Sequence, residues 1–259
     1  MSARIDLNAD LGEGFGPWRM GDDSALLDIV TSANVACGFH AGDPDIMVET
    51  MLAAKARGVA IGAHPGFSDL RGFGRNRIQE SPRRIERDIA YQIGALQACA
   101  ALAGARVTHV KAHGALANLS NEDDAVADAL ARAVAGVDAS LALVVMPGLA
   151  AERAGERAGL TLVREIYADR AYAEDGTLAP RASPGAVIHD AGEAALRVAR
   201  MIGEGAVFTL GGRRVPVAID TVCVHGDNAE ALAMARTVRA ELERAGFSLH
   251  PFAESFTET

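Results

Sequence analysis

The stretch Ile5-Asp6-Leu7-Asn8-Ala9-Asp10-Leu11-Gly12-Glu13-Gly14 decides how the rest of the chain is read. Successive side chains of a strand point to opposite faces, so Ile5, Leu7 and Ala9 share one face and Asp6, Asn8 and Asp10 the other. The same parity returns downstream. Val110 and Ala112 oppose His109, Lys111 and His113; Val35, Cys37 and Phe39 alternate with Asn34, Ala36, Gly38 and His40; Val222 and Val224 are set against Thr221, Cys223 and His225. An ordinary barrel packs its interior with branched aliphatic residues and keeps charge at the rim. Here the polar parity runs down into several strands. If the apolar parity faces surrounding helices, the polar parity lines the lumen, and a water-filled or substrate-filled pocket is expected rather than a dry core.

Outward from that strand, short β-branched runs alternate with Ala-rich amphipathic segments, the pattern of βαβ units around a parallel sheet. Strand cores are expected near residues 4 to 10, 33 to 39, 59 to 63, 107 to 112, 141 to 146, 160 to 167 and 219 to 225. Asp43-Pro44 and Ser81-Pro82 each read as an N-cap followed by proline at the first helical position, while Gly58, Gly104 and Gly246 read as C-terminal stops. The expected fold is α/β, an irregular (β/α) barrel of about seven strands, as one domain over residues 1–259. Residues 170–184 lack periodicity and read as a lid or insertion, and Gly211-Gly212 places a hairpin near 206–217.

The 259 residues are 49% hydrophobic, enough to bury one large core. No basic segment precedes an apolar run, and no stretch reaches the roughly 18 apolar residues of a membrane span, so a soluble cytoplasmic protein is expected. Cys37, Cys99 and Cys223 have neither disulfide nor zinc-knuckle spacing and read as packing residues of a reducing compartment. A net charge of -9 without any Lys/Arg cluster argues against nucleic acid and anionic membrane as partners. An anionic substrate must then be held by a few local cations.

The ends of the strands supply those cations and the rest of a site. They deliver Asp10 and Glu13, His40 and Asp43, His64, Lys111 and His113, Glu165 and Asp169, then His225 and Asp227, and loops at the carboxyl ends of parallel strands converge on one crevice. A lone histidine there is ordinarily a satisfied core residue; His40, His64, His113 and His225 at one rim read instead as groups for proton transfer and carbonyl polarisation. His189 and His250 keep the structural reading. Asp10 suits a general base or a metal ligand. Lys111 reads either as one half of a buried ion pair or as a fixed cation for a carboxylate, phosphate or developing oxyanion. Asn8, Glu13, Asn34, His225 and Asp227 are candidates for substrate contact. Arg71 and Arg75, in a glycine-rich loop, can close over an anion, and Asp169 with Arg170 begins the lid. Neither a Gly-x-x-x-x-Gly-Lys-Ser/Thr phosphate loop nor a Gly-x-Ser-x-Gly elbow occurs.

Asp6-Leu7-Asn8-Ala9-Asp10-Leu11-Gly12-Glu13, Ala33-Asn34-Val35-Ala36-Cys37-Gly38-Phe39-His40-Ala41-Gly42-Asp43-Pro44, Ile61-Gly62-Ala63-His64-Pro65, Lys111-Ala112-His113-Gly114-Ala115-Leu116, Ala168-Asp169-Arg170-Ala171-Tyr172 and Cys223-Val224-His225-Gly226-Asp227 resemble the successive signatures of the LamB/YcsF family. The resemblance spans nearly the whole chain. It implies a barrel of the glycoside hydrolase/deacetylase kind with fewer than eight regular units. It also implies one component of an ATP-dependent 5-oxoprolinase, which converts 5-oxo-L-proline to L-glutamate with two partner subunits, B and C. ATP, with magnesium, is then the co-substrate of the complex. Two departures stand out: Ala112 replaces the usual proline, leaving Lys111 and His113 in register, and Ala117 replaces a tyrosine, which removes whatever contact that ring makes. A metal-dependent de-N-acylase of a carbohydrate-like substrate, and a non-catalytic lactam-binding protein, stay open as alternatives, as do a bound metal and a homo-oligomer.

Overall fold

The computed structural model describes residues 4–256. In chain order its elements are β1 (Arg4–Leu11), α1 (Asp23–Leu27), β2 (Ser32–Ala36), α2 (Pro44–Ala56), β3 (Ala60–His64), α3 (Pro82–Leu102), β4 (Val107–Lys111), α4 (Gly114–Glu122), α5 (Asp124–Val137), β5 (Ala142–Val145), α6 (Ala150–Arg157), β6 (Leu162–Tyr167), α7 (Ala191–Glu204), β7 (Ala206–Phe208), β8 (Arg214–Pro216), β9 (Thr221–Cys223), α8 (Ala229–Arg244), β10 (Ser248–Leu249) and a 3-10 turn at Phe252–Phe256. The seven parallel strands β1-β2-β3-β4-β5-β6-β9 close into a barrel, because β9 pairs with both β6 and β1. β10 lies beside the start of β1, and β7 and β8 form a separate antiparallel pair.

The helices begin where the caps place them. Asp43 accepts hydrogen bonds from the backbone N–H groups of Asp45 and Ile46, and Ser81 accepts one from Arg84. Asp123, Asp190 and Asn228 cap α5, α7 and α8 in the same way, each such cap contributing about 1 kcal/mol. The helices surround the barrel, with α3 against α5 and α7 against α8. The apolar parity of the strands faces them: Ile5, Leu7, Ala9, Val35, Val110 and Val222 belong to one continuous core with Met51, Ile89, Ile93, Leu130 and Val238.

The polar parity does point inward, but the lower lumen is filled by protein rather than by a pocket. Asp6 accepts from the hydroxyls of Thr31, Ser32 and Thr221. One level higher, the Asn8 amide donates to Glu165 and Thr221, and the Asn34 amide donates to Asn8 and Asp10. His109 Nε2 meets Asn34 Oδ1 at 3.0 Å. Buried polar groups are tolerable when they satisfy one another, and these do. Below them Phe252, from the terminal 3-10 turn, packs on Ala142, Val144 and Val163 and presents an edge contact to His109 at 4.8 Å. The open space begins only above this network, at the C-terminal ends of the strands.

Candidate active site

A cavity of about 650 Å³ opens at that end, within the range of small-molecule sites. Its lining includes Asp10, Glu13, His64, Lys111, His113 and His225, together with Arg75, Asp169, Arg170 and Asp227. Asp10 lies at the end of β1, His64 ends β3 and Lys111 ends β4, so the floor is built on rigid strands. His113 is the residue before α4, and His40, Asp169 and His225 follow β2, β6 and β9.

Lys111 Nζ is the hub. It contacts Glu165 Oε1 at 2.7 Å, Asp10 Oδ1 at 3.1 Å, and Asn8 Oδ1 and Cys223 Sγ at 3.2 Å each. Burial alone would pull its pKa down, but the charges of Asp10 and Glu165 outweigh it and hold the amine well above its usual value. Lys111 is therefore a permanent cation and no nucleophile. Burial pushes the Cys223 thiol up, so that group stays protonated beside it. Asp10 is the converse of Lys111: burial would raise it, and the His64 and Lys111 charges hold it well below the ordinary carboxylate range. Its second oxygen meets His64 Nε2 at 3.2 Å.

The imidazoles crowd against this ion pair. His64 Nδ1 donates to the Lys111 carbonyl at 2.7 Å, and His113 Nε2 donates to the Phe73 carbonyl at 2.8 Å. His40 stacks on His113 at 3.8 Å with the planes 2° apart. Glycine makes this approach feasible: a Cβ at Gly66 would lie 2.6 Å from His40 Nδ1, and one at Gly74 would lie 2.8 Å from His113 Cδ2. Burial drives the His40 pKa well below its usual value, with the His64 charge acting in the same sense, and carries His113 down to about 3. Glu13 moves the other way, raised by burial and by the Asp10 charge. One ligand atom from each of Glu13, His40, His64 and His113 lies within 4.8 Å of the others, a set able to hold a metal ion.

Across the cavity His225 Nδ1 meets Asp169 Oδ2 at 3.0 Å. Burial disfavours the imidazolium, but the close contact and charge of Asp169 outweigh it and raise the His225 pKa; Asp169 is correspondingly lowered against its own burial. Arg170 is buried, donates to the Ala179 carbonyl at 2.7 Å and keeps an unpartnered Nε.

The LamB/YcsF family matches residues 5–257. The chain belongs to the LamB/YcsF family. The 5-oxoprolinase A subunit of Rhodopseudomonas palustris (strain BisA53) is 57% identical over 250 residues, covering 96% of this chain and 98% of that one. The solved lactam utilization protein from Thermus thermophilus is 46% identical and superposes with a TM-score of 0.91, covering 95% of this chain and 99% of that one. A T48 deacetylase with substrate, 14% identical, shares the barrel fold at a TM-score of 0.52 over 100% of this chain and 92% of that one.

Within this LamB/YcsF barrel the signature words meet at one cavity, with three qualifications. Asn8 and Asn34 lie beneath its floor and hold Asp10 and Lys111 rather than lining it. His40 stands behind His113. Arg71 is turned to solvent, outside the cavity, because its loop folds around Asp69, whose carboxylate accepts from the N–H groups of Gly72 and Asn76. Arg75, also exposed, borders the cavity instead, 5.1 Å from the Phe73 ring. Strand parity sets Glu165 near a strand end without giving it a role, and it passes over Tyr167 and Gln92. Glu165 is Lys111's shortest contact, and the Tyr167 ring lies 5.5 Å from the same ammonium. Gln92 was legible as a polar residue inside the apolar stripe Ile85, Ile89, Ile93 and Leu96 of α3. No helix of the described residues is long and apolar enough to cross a membrane.

Proposed function

We propose that the chain is the A component of a cytoplasmic ATP-dependent 5-oxoprolinase, opening the lactam 5-oxo-L-proline to L-glutamate with subunits B and C. The observation that carries this reading is the meeting of Asp10, His64 and Lys111 on the floor of one small-molecule cavity. The names of its relatives, a 5-oxoprolinase A subunit and a lactam utilization protein, support it.

A five-membered lactam is an unstrained, resonance-stabilised amide that water attacks slowly. Phosphorylation of its carbonyl oxygen makes the carbon electrophilic, which is the chemical reason for ATP, with magnesium, as co-substrate. In this assignment Asp10 takes the proton of the attacking water, and Lys111 stabilises charge on the carbonyl oxygen or its phosphate. His64 Nε2, 3.2 Å from Asp10, relays that proton, with His113 beside it and His40 supporting His113 from behind. Glu13, Arg75, Asp169, Arg170, His225 and Asp227 on the cavity wall hold the amino-acid end, and the segment 170–184 acts as the lid of a single domain.

The test is reconstitution with subunits B and C, ATP, magnesium and 5-oxoproline, measuring glutamate and phosphate with each component omitted in turn. Asp10→Asn keeps the shape of the side chain and is expected to lower glutamate formation by about 100-fold or more. Wild-type turnover in that variant defeats the assignment. Glutamate formed in the absence of ATP defeats the coupling and favours a simple deacylase. Lys111 is a poorer probe, because its loss strands two carboxylates in the barrel.

A further inference from the structure

We infer that Glu13, His40, His64 and His113 form a binding site for one borderline divalent metal ion, zinc foremost, in the wall of the cavity. The inference stands apart from the lactam reading: a chain that binds the ion and opens no lactam upholds the one and overturns the other.

Two backbone carbonyls fix the tautomers. A carbonyl oxygen only accepts, so His64 carries its proton on Nδ1, toward Lys111, and His113 carries its proton on Nε2, toward Phe73. What is left is the lone pair of His64 Nε2 facing that of His113 Nδ1 at 3.0 Å. Two lone pairs do not hydrogen-bond, and Asp10 Oδ2 lies 3.2 Å from the same His64 Nε2, so a cation belongs there, either a metal ion or a second proton on His64. Orientation of ligating imidazoles by carbonyl acceptors on the opposite nitrogen is the usual arrangement around bound metals.

His40 decides between the metal and the proton. It is fully buried, and neither ring nitrogen has a hydrogen-bond partner. A proton shared by His64 and His113 does nothing for it, whereas a metal ion takes it as a ligand. Glu13 Oε1 lies 3.6 Å from His40 Nε2 and 3.6 Å from His113 Nδ1. Zinc bonds of about 2.0–2.1 Å in a tetrahedron put donor atoms about 3.4 Å apart; three of the separations, at 3.0, 3.6 and 3.6 Å, straddle that edge, and all lie within 4.8 Å. One adjustment is needed. The parallel stacking of His40 on His113 sets their lone pairs side by side, so His40 must tilt out of the stack to ligate. Three imidazoles and one carboxylate favour zinc, iron, nickel or copper over magnesium or calcium.

The experiment is titration of chelator-treated full-length protein with Co²⁺, read by its visible absorption, followed by competition with Zn²⁺. One ion per chain is expected, with a raised melting temperature. Affinity is expected to fall by about 100-fold or more in His40→Ala and His64→Ala, and to persist in His189→Ala, an exposed histidine elsewhere. If an alanine variant does not fold, Glu13→Gln and His40→Gln give the same readout with smaller change. Three results overturn the inference: a folded wild-type chain that takes up neither ion at micromolar concentration, uptake insensitive to His40 and His64, or a His64 imidazolium seen by ring-nitrogen NMR that metal does not displace.

Discussion

Asp6 is held by hydroxyls of Thr31, Ser32 and Thr221, yet burial still pushes its pKa up to about 6 from 3.8. A carboxyl raised on folding keeps its proton in the native state after the unfolded chain has lost it. Stability therefore falls as pH rises from about 4 to about 6, by about 3 kcal/mol in total. Asp6→Asn removes that titration, so denaturant unfolding of variant and wild type should show the variant gaining by about that amount between pH 4 and 7. A difference constant with pH defeats the assignment. Lys111→Met is the opposite case: it leaves Asp10 and Glu165 buried without their cation, and a loss of about 3–5 kcal/mol is expected at neutral pH. The same measurement checks it, and an unchanged midpoint shows that the three groups do not act as a unit. Parity made Asp10, His64 and Lys111 legible because each sits on or at the end of a strand. It could not find Glu165 as Lys111's partner, since the two are far apart in sequence and no local pattern encodes their pairing.

At the scale of elements, helix ends were the most legible feature, because a cap is a local match between one side chain and the next few N–H groups. Asp43-Pro44 and Ser81-Pro82 start α2 and α3 where the residues say. Loops were less legible: nothing in Asp69–Arg75 reveals that the Asp69 carboxylate becomes the loop's centre and turns Arg71 away. The link between an element and the site is clearest at Gln92. Its amide donates to the Gly66 carbonyl at 2.9 Å and accepts from the Gly66 N–H at 3.0 Å, tying α3 to the loop after His64. Gln92→Leu fits the apolar stripe but leaves both Gly66 groups buried without partners. A loss of about 2–4 kcal/mol is expected. If the loop is what fixes His64, glutamate formation by the reconstituted complex also falls, through kcat more than KM; a stable, fully active variant shows that Gln92 does not position the site.

For the whole molecule, the barrel and its inward polar face were legible, while the filling of that face was not. Pairing decides whether a polar lumen is solvated or closed, and the decisive pairs join residues as distant as Asp6 and Thr221. The same holds for the chain's end, where no periodicity marks the 3-10 turn that brings Phe252 under the barrel. Phe252 separates the polar network from solvent on the side opposite the cavity, so its removal has two consequences that a mere packing residue would not link. Phe252→Ala is expected to cost about 3–5 kcal/mol as a large-to-small core change. It should also let water reach the level of Asp6 and His109. Burial is the main cause that raises Asp6 and carries His109 down to about 3, so hydration relaxes both toward their ordinary values. The loss of stability between pH 4 and 6 that Asp6 causes should then shrink in Phe252→Ala. Unfolding free energies across that range, compared with those of wild type and of Asp6→Asn, read both effects at once. A uniform loss with the wild-type pH slope means that Phe252 fills space without sealing the lumen.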